Sequence, residues 1–67
     1  MATQFKIKVY DFHRNYPEEI IKVSVTDQEE PRAFSKCVLA KHKARLKYEK
    51  KYNIDYLFIE AYIHDVK

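Results

Sequence analysis

Gln4-Phe5-Lys6-Ile7-Lys8-Val9-Tyr10-Asp11-Phe12 alternates along its length. Phe5, Ile7 and Val9 point to one side of an extended chain, and Lys6, Lys8, Tyr10 and Phe12 point to the other. Side chains of a strand change face at every residue, so the stretch reads as a half-buried strand. Glu19 to Thr26 repeats the pattern, with Ile21, Val23 and Val25 on one side and Ile20, Lys22 and Ser24 on the other. Between them His13 to Glu18 is polar and carries Tyr16-Pro17, where the proline ends regular structure and biases Tyr16 toward extended geometry. Two alternating runs joined by so short a loop predict an antiparallel hairpin.

The period changes after Thr26. Ala33, Phe34, Cys37, Val38, Ala44 and Tyr48 fall on one face at helical spacing. Asp27 with Glu30 at capping-box distance, and Pro31 in the first turn, predict where this helix starts; Glu30 as N-cap with Pro31 at the first helical position is the competing register. Glu29 and Glu30 open the helix and Lys47, Lys50 and Lys51 close it, which complements the macrodipole at both ends. Asn53 suits the left-handed geometry of a C-cap. From Ile54 to Val66 the alternation returns: Leu57, Ile59, Ala61 and Ile63 face one way, and Tyr56, Phe58, Glu60, Tyr62 and His64 the other. The expected fold is α+β, a three-stranded, mostly antiparallel sheet in strand-strand-helix-strand order with one helix on one face. Placing the first strand in the centre (order 2-1-3) makes both of its pairings antiparallel and lets the helix cross over it. Residues 1–67 are expected to form one small domain.

A chain of 67 residues buries only about 60% of its unfolded surface, so the core is thin. The apolar share of 46% excludes a disordered chain. No apolar run approaches the roughly 18 residues that span a bilayer, and Met1 to Lys8 lacks the apolar centre of a signal peptide, so no membrane association is expected. The lone Cys37 makes no internal disulfide, which fits a cytoplasmic location. The net charge of +3 is compatible with nucleic acid without demanding it, and argues against an acidic mimic of DNA. The excess of Lys over Arg and the Ile, Tyr and Asn usage suit an AT-rich phage or mobile-element gene.

One helix covers one side of the sheet, so the other side stands open. The alternation assigns to it Lys6, Lys8, Tyr10, Phe12, Ile20, Lys22, Tyr56, Phe58, Tyr62 and His64. Exposed aromatic patches mark protein interfaces, and Tyr10, Phe12, Tyr56, Phe58 and Tyr62 are the expected anchors for a protein partner or a second copy. The same face offers rings for stacked bases, with Lys6, Lys8 and Lys22 for phosphates, as in RNA or single-stranded DNA binding. On the helix, Arg32, Lys36, Lys43, Lys47 and Lys50 gather opposite the expected core stripe; Lys36, Lys43 and Lys47 are the candidate phosphate contacts there. Lysines are also the ordinary solvated face of a helix, which is the plainer reading of that stripe.

Nothing in the sequence reads as an active site. There is no glycine, hence no phosphate-cradling glycine loop. Cys37 lies on the expected core face, where a thiol acts as a small hydrophobe. His13, His42 and His64 sit on different elements without metal-ligand spacing, so neither a metal nor a cofactor is expected, and no small-molecule substrate. Asp11 and His13 fit a surface hydrogen bond better than an acid–base pair. The expectation is a non-enzymatic binding module that regulates or inhibits a larger machine, or dimerises, through its open sheet face. An RNA or single-stranded DNA binder ranks second.

Overall fold

The computed structural model describes residues 2–66. Three strands, β1 (Ala2–Asp11), β2 (Glu19–Thr26) and β3 (Ile59–Val66), form one sheet in the order β2-β1-β3. Both pairings of β1 are antiparallel, as the sequence predicts. A single helix, α1 (Ala33–Tyr52), carries the chain from β2 across the sheet to β3.

The in-phase residues of the strands make the sheet's half of the core: Phe5, Ile7 and Val9 from β1, Val23 and Val25 from β2, Ile59 and Ala61 from β3. Burying each large aliphatic side chain contributes about 1.5–3 kcal/mol. The helix meets them with Ala40, Ala44 and Tyr48, while Cys37 and Leu39 pack partly against the core. Two alanines one turn apart let the helix axis lie close to the strands. Tyr48 fills the space left at one end, and its hydroxyl donates to the Pro17 carbonyl at 2.7 Å.

The helix is therefore rotated from the expected stripe. Ala44, Tyr48 and Cys37 face inward as predicted, but Phe34 is 81% exposed and Val38 is half exposed. The start also differs. Asp27 does not cap the helix; the N-cap position is Arg32, with no side-chain cap. Residues 27–29 form a turn instead, in which Glu29 and Glu30 N–H groups bond the Thr26 carbonyl and the Glu29 carboxylate accepts from Thr26 N–H and Oγ1. Asn53 ends the helix at φ 55°, ψ 47°, the left-handed geometry expected of it.

The third strand is shorter than its alternation suggests. Asp55 accepts the Leu57 N–H at 3.0 Å and sets a 3₁₀ turn over Tyr56–Phe58, so the strand begins only at Ile59 and Leu57 is left 83% exposed. Farther on, the register with β1 shifts by one residue: Ile63 pairs with Ile7 but Asp65 pairs with Lys6, leaving His64 as a bulge. Unbroken alternation would place the Asp65 carboxylate on the core side beside Phe5. The bulge gives that place to Val66 and turns Asp65 toward Lys6.

Asp11 continues the inward phase of β1 and is buried. Its carboxylate accepts the His13 N–H at 3.3 Å and the Asn15 N–H at 2.9 Å, satisfying its acceptors inside the loop. The Asp11 carbonyl also accepts the Arg14 N–H, and Arg14 takes a left-handed φ of 60° that falls to glycine in most chains. His13 engages Asp11 through its backbone, so the two side chains do not form an acid–base pair.

Candidate functional site

The face of the sheet away from α1 is built from the out-of-phase residues of three strands. Cross-strand pairing arranges them in rows: Asp65, Lys6 and Lys22; then Tyr62, Lys8 and Ile20; then Glu60 and Tyr10. Tyr10 and Tyr62 stack with centroids 5.7 Å apart and join hydroxyls at 2.9 Å. Arg14 lies over the Tyr10 ring at 4.2 Å, a cation–π contact from the hairpin loop. The Tyr62 hydroxyl contact, reinforced by burial, raises the Tyr10 phenol above its ordinary range. At the end of the face Phe12 and Phe58 both contact the His13 ring, with centroids 5.3 and 4.9 Å away. The Phe12 N–H donates to the Phe58 carbonyl at 2.7 Å, which pins the loop to the start of β3. Phe12 is 59% and Tyr62 51% exposed despite these contacts.

Four of the five expected anchors, Tyr10, Phe12, Phe58 and Tyr62, are thus brought together. Tyr56 is not among them. The 3₁₀ turn directs it toward the helix, where its hydroxyl meets His42 Nδ1 at 2.6 Å and its ring lies beside the Arg45 guanidinium. A strand reading of Tyr56 fails because Asp55 caps a turn there; the Asn53-Ile54-Asp55 run was the available signal.

The lysines divide in two groups. Lys6 and Lys22 stand directly opposite each other and, with Gln4, Phe5 and Asp65, line a shallow hollow of about 270 Å³. Lys8 is joined to Glu18 at 3.4 Å. The helix lysines occupy another part of the molecule than expected. Lys36, Lys43 and Lys47 do not lie opposite the core; they flank it, along the outer edge of β2. Lys43 Nζ donates to the Ser24 carbonyl at 3.1 Å and to Glu29 at 2.5 Å, and Lys47 Nζ donates to the Lys22 carbonyl at 3.3 Å. Lys36 pairs with Asp27 and Lys51 with Glu19. These contacts hold the carboxylates below their ordinary range: Glu29 falls to about 2 beside Lys43, and Glu19 falls beside Lys51 and the Tyr52 hydroxyl. Asp27 is lowered by Lys36.

Among the described residues no group of three or more His, Cys, Asp or Glu side chains is placed to hold a metal ion. Cys37 is partly buried. Among the described residues no helix is long and apolar enough to cross a membrane. No protein-family model, curated protein or solved structure matches this chain.

Proposed function

We propose that this protein is a small binding module that contacts a protein partner through the open sheet face, with Phe12, Phe58, Tyr10 and Tyr62 as anchors. The observation that carries this reading is the exposed aromatic cluster, already ordered by ring stacking and hydroxyl pairing on a sheet that no other part of the described chain covers. Rings held in one geometry lose little freedom on binding, which favours affinity. The charge around them favours protein over nucleic acid. Glu18, Glu60 and Asp65 accompany Lys6, Lys8, Lys22 and Arg14 on this side, so no strong positive field surrounds the rings. The helix lysines are engaged with the β2 edge. A regulator or inhibitor of a larger assembly is the role that fits such a module.

The second reading, RNA or single-stranded DNA binding, draws on one feature: the Lys6–Lys22 pair, two like charges placed opposite each other beside stacked rings. The double substitution Phe12→Ala and Phe58→Ala separates the outcomes. Partner capture from the producing cell should be lost while circular dichroism is unchanged. Capture that survives the substitution would sink the proposal. Oligonucleotide binding that falls steeply with salt and is abolished by Lys6→Gln with Lys22→Gln would establish the second reading in its place.

A further inference from the structure

The lysines on the β2 flank of α1 are all engaged. Lys36 meets Asp27, Lys43 meets Glu29 and the Ser24 carbonyl, and Lys47 meets the Lys22 carbonyl. The flank on the other side of the helix differs. Phe34, Val38, Lys41 and Arg45 follow one another at steps of four, three and four residues. At about 100° per residue they fall within an arc of roughly 60°, and the row runs about 16 Å, or three turns. Arg45 places the row on the β3 side: its guanidinium lies over the Tyr56 ring, 5.8 Å from the centroid, just before β3 begins.

Nothing in the described chain completes this row. Phe34 is 81% and Val38 50% exposed, on a helix whose inward residues Ala40, Ala44 and Tyr48 are fully buried. The side chains of Lys41 and Arg45 take part in none of the hydrogen bonds or ion pairs among the described residues. Glu49, one turn beyond Arg45, makes no ion pair with it. Arg45 Nε is enclosed by protein and has no acceptor. A buried donor left unpaired is costly, and the guanidinium fork is shaped for a two-point bond to a carboxylate. A hollow of about 550 Å³ borders the row at Phe34, Val38 and His42, and Glu29 and Glu30 also line it.

We propose that the Phe34–Val38–Lys41–Arg45 row is a docking surface for an acidic amphipathic helix of a protein partner. The apolar side chains of that helix cover Phe34 and Val38, and its carboxylates meet Lys41 and Arg45. This surface is separate from the open sheet face and stands whether or not that face has its own partner. The occupant follows from two properties of the row. Two apolar side chains one turn apart, beside a hollow, suit a helix packed along the flank. The unmatched charge is positive and confined to the Lys41–Arg45 half, so acids belong there, whereas Glu29 and Glu30 repel them from the Phe34 end. A phosphate chain would meet the two cations and leave Phe34 and Val38 uncovered.

The probe is a helical peptide of about 16 residues with leucines one turn apart flanked by glutamates, together with the same peptide carrying lysines in place of the glutamates. Titrated into isotope-labelled protein at low salt, the glutamate peptide should shift the amides of Phe34 to Arg45. It should bind about tenfold more tightly than the lysine peptide, an advantage that shrinks with added salt. Lys41→Gln with Arg45→Gln should remove most of that advantage, and Phe34→Ser should weaken both peptides about fivefold. These side chains lie outside the core, so circular dichroism should be unchanged. Phe12→Ala with Phe58→Ala should leave this binding intact, which separates it from a contact at the open face. Equal binding of the two peptides, no binding at millimolar peptide, or shifts confined to the sheet face overturns the proposal. So does sedimentation showing that a second copy already covers the row, or a single-stranded oligonucleotide that shifts the same amides more strongly than the glutamate peptide.

Discussion

Along β2, the carbonyls of Lys22 and Ser24 meet ammonium groups from Lys47 and Lys43, and Glu29 and Glu19 hold Lys43 and Lys51 at the same flank. Along β3, no lysine meets the main-chain groups of Ala61 and Ile63 among the described residues, and Ala61 lies buried in the core. The difference reinterprets the basic character of the helix. Lysines placed every three to seven residues along α1 look like a ligand surface when the helix is considered alone. In the fold they finish a sheet edge, and their charge is matched by acids at the start of β2 and in the turn after it. Positive charge on this protein is in large part structural.

The most damaging change is the one that lets the helix lose its rotation. Tyr48 wedges α1 against the sheet, meets the Tyr52 ring at a tilt with centroids 4.8 Å apart, and donates its hydroxyl to the Pro17 carbonyl. Tyr48→Ala should cost about 3–5 kcal/mol, enough to unfold much of so small a domain. Loss of near-ultraviolet dichroism and of a cooperative urea transition is the measurement. A variant that retains both would mean the lysines alone orient the helix. Lys43→Met should do less to stability and more to behaviour. It uncovers the Ser24 carbonyl and leaves the Glu29 carboxylate to Thr26 alone, so the denaturation midpoint drops modestly and light scattering at high concentration rises as the β2 edge becomes available. Unchanged scattering would show that the lysine cover is not what keeps that edge monomeric.

Elements governed by residues close in sequence were legible before the fold was known. Period-two alternation located β1 and β2 and placed Phe5, Ile7, Val9, Val23 and Val25 in the core, and the strand order followed from the single crossover. The helix rotation was not legible, because α1 carries two apolar stripes. Phe34 and Val38 compete with Ala40, and the bulkier pair loses because alanine permits the close approach that also delivers Lys43 to Ser24. That choice depends on acids and carbonyls distant in sequence. The bulge at His64 is likewise decided across strands, by whether Val66 or Asp65 sits beside Phe5. Tyr56 was misplaced by a local rule that a stronger local rule, the Asp55 cap, displaced. Asp11 gave a readable signal: a carboxylate in the inward phase at the end of a strand marks a turn that will need an acceptor.

Acid should act on the covered edge selectively. Glu29, Glu19 and Asp27 all titrate below their ordinary values in the folded state. A lowered carboxylate contributes stability that is fully present above its unfolded value and is lost as pH falls through its folded value. For Glu29 that window runs from 4.5 down to about 2. Thermal midpoints should hold steady from neutral pH to about 5 and then decline toward pH 2. Glu29→Gln should start lower at neutral pH and decline less. Parallel curves for the two proteins would show that this carboxylate does not secure the edge.

The smallest expected effect lies on β3's open side and tests whether its rings are ordered by each other. Tyr62→Phe removes one hydroxyl, and the ring stack with Tyr10 remains. The bond is at the surface, where water replaces a lost partner, so the unfolding midpoint should not move measurably. Tyr10 should move. Its phenol is held above the ordinary range mainly by the bond to Tyr62, and removing that oxygen should bring its ionisation down toward 10 in an ultraviolet titration. A Tyr10 titration left unchanged by the substitution would mean that the two rings do not share a fixed geometry in solution. The aromatic cluster would then be a set of independent side chains, and the advantage of a pre-ordered contact face would go with it.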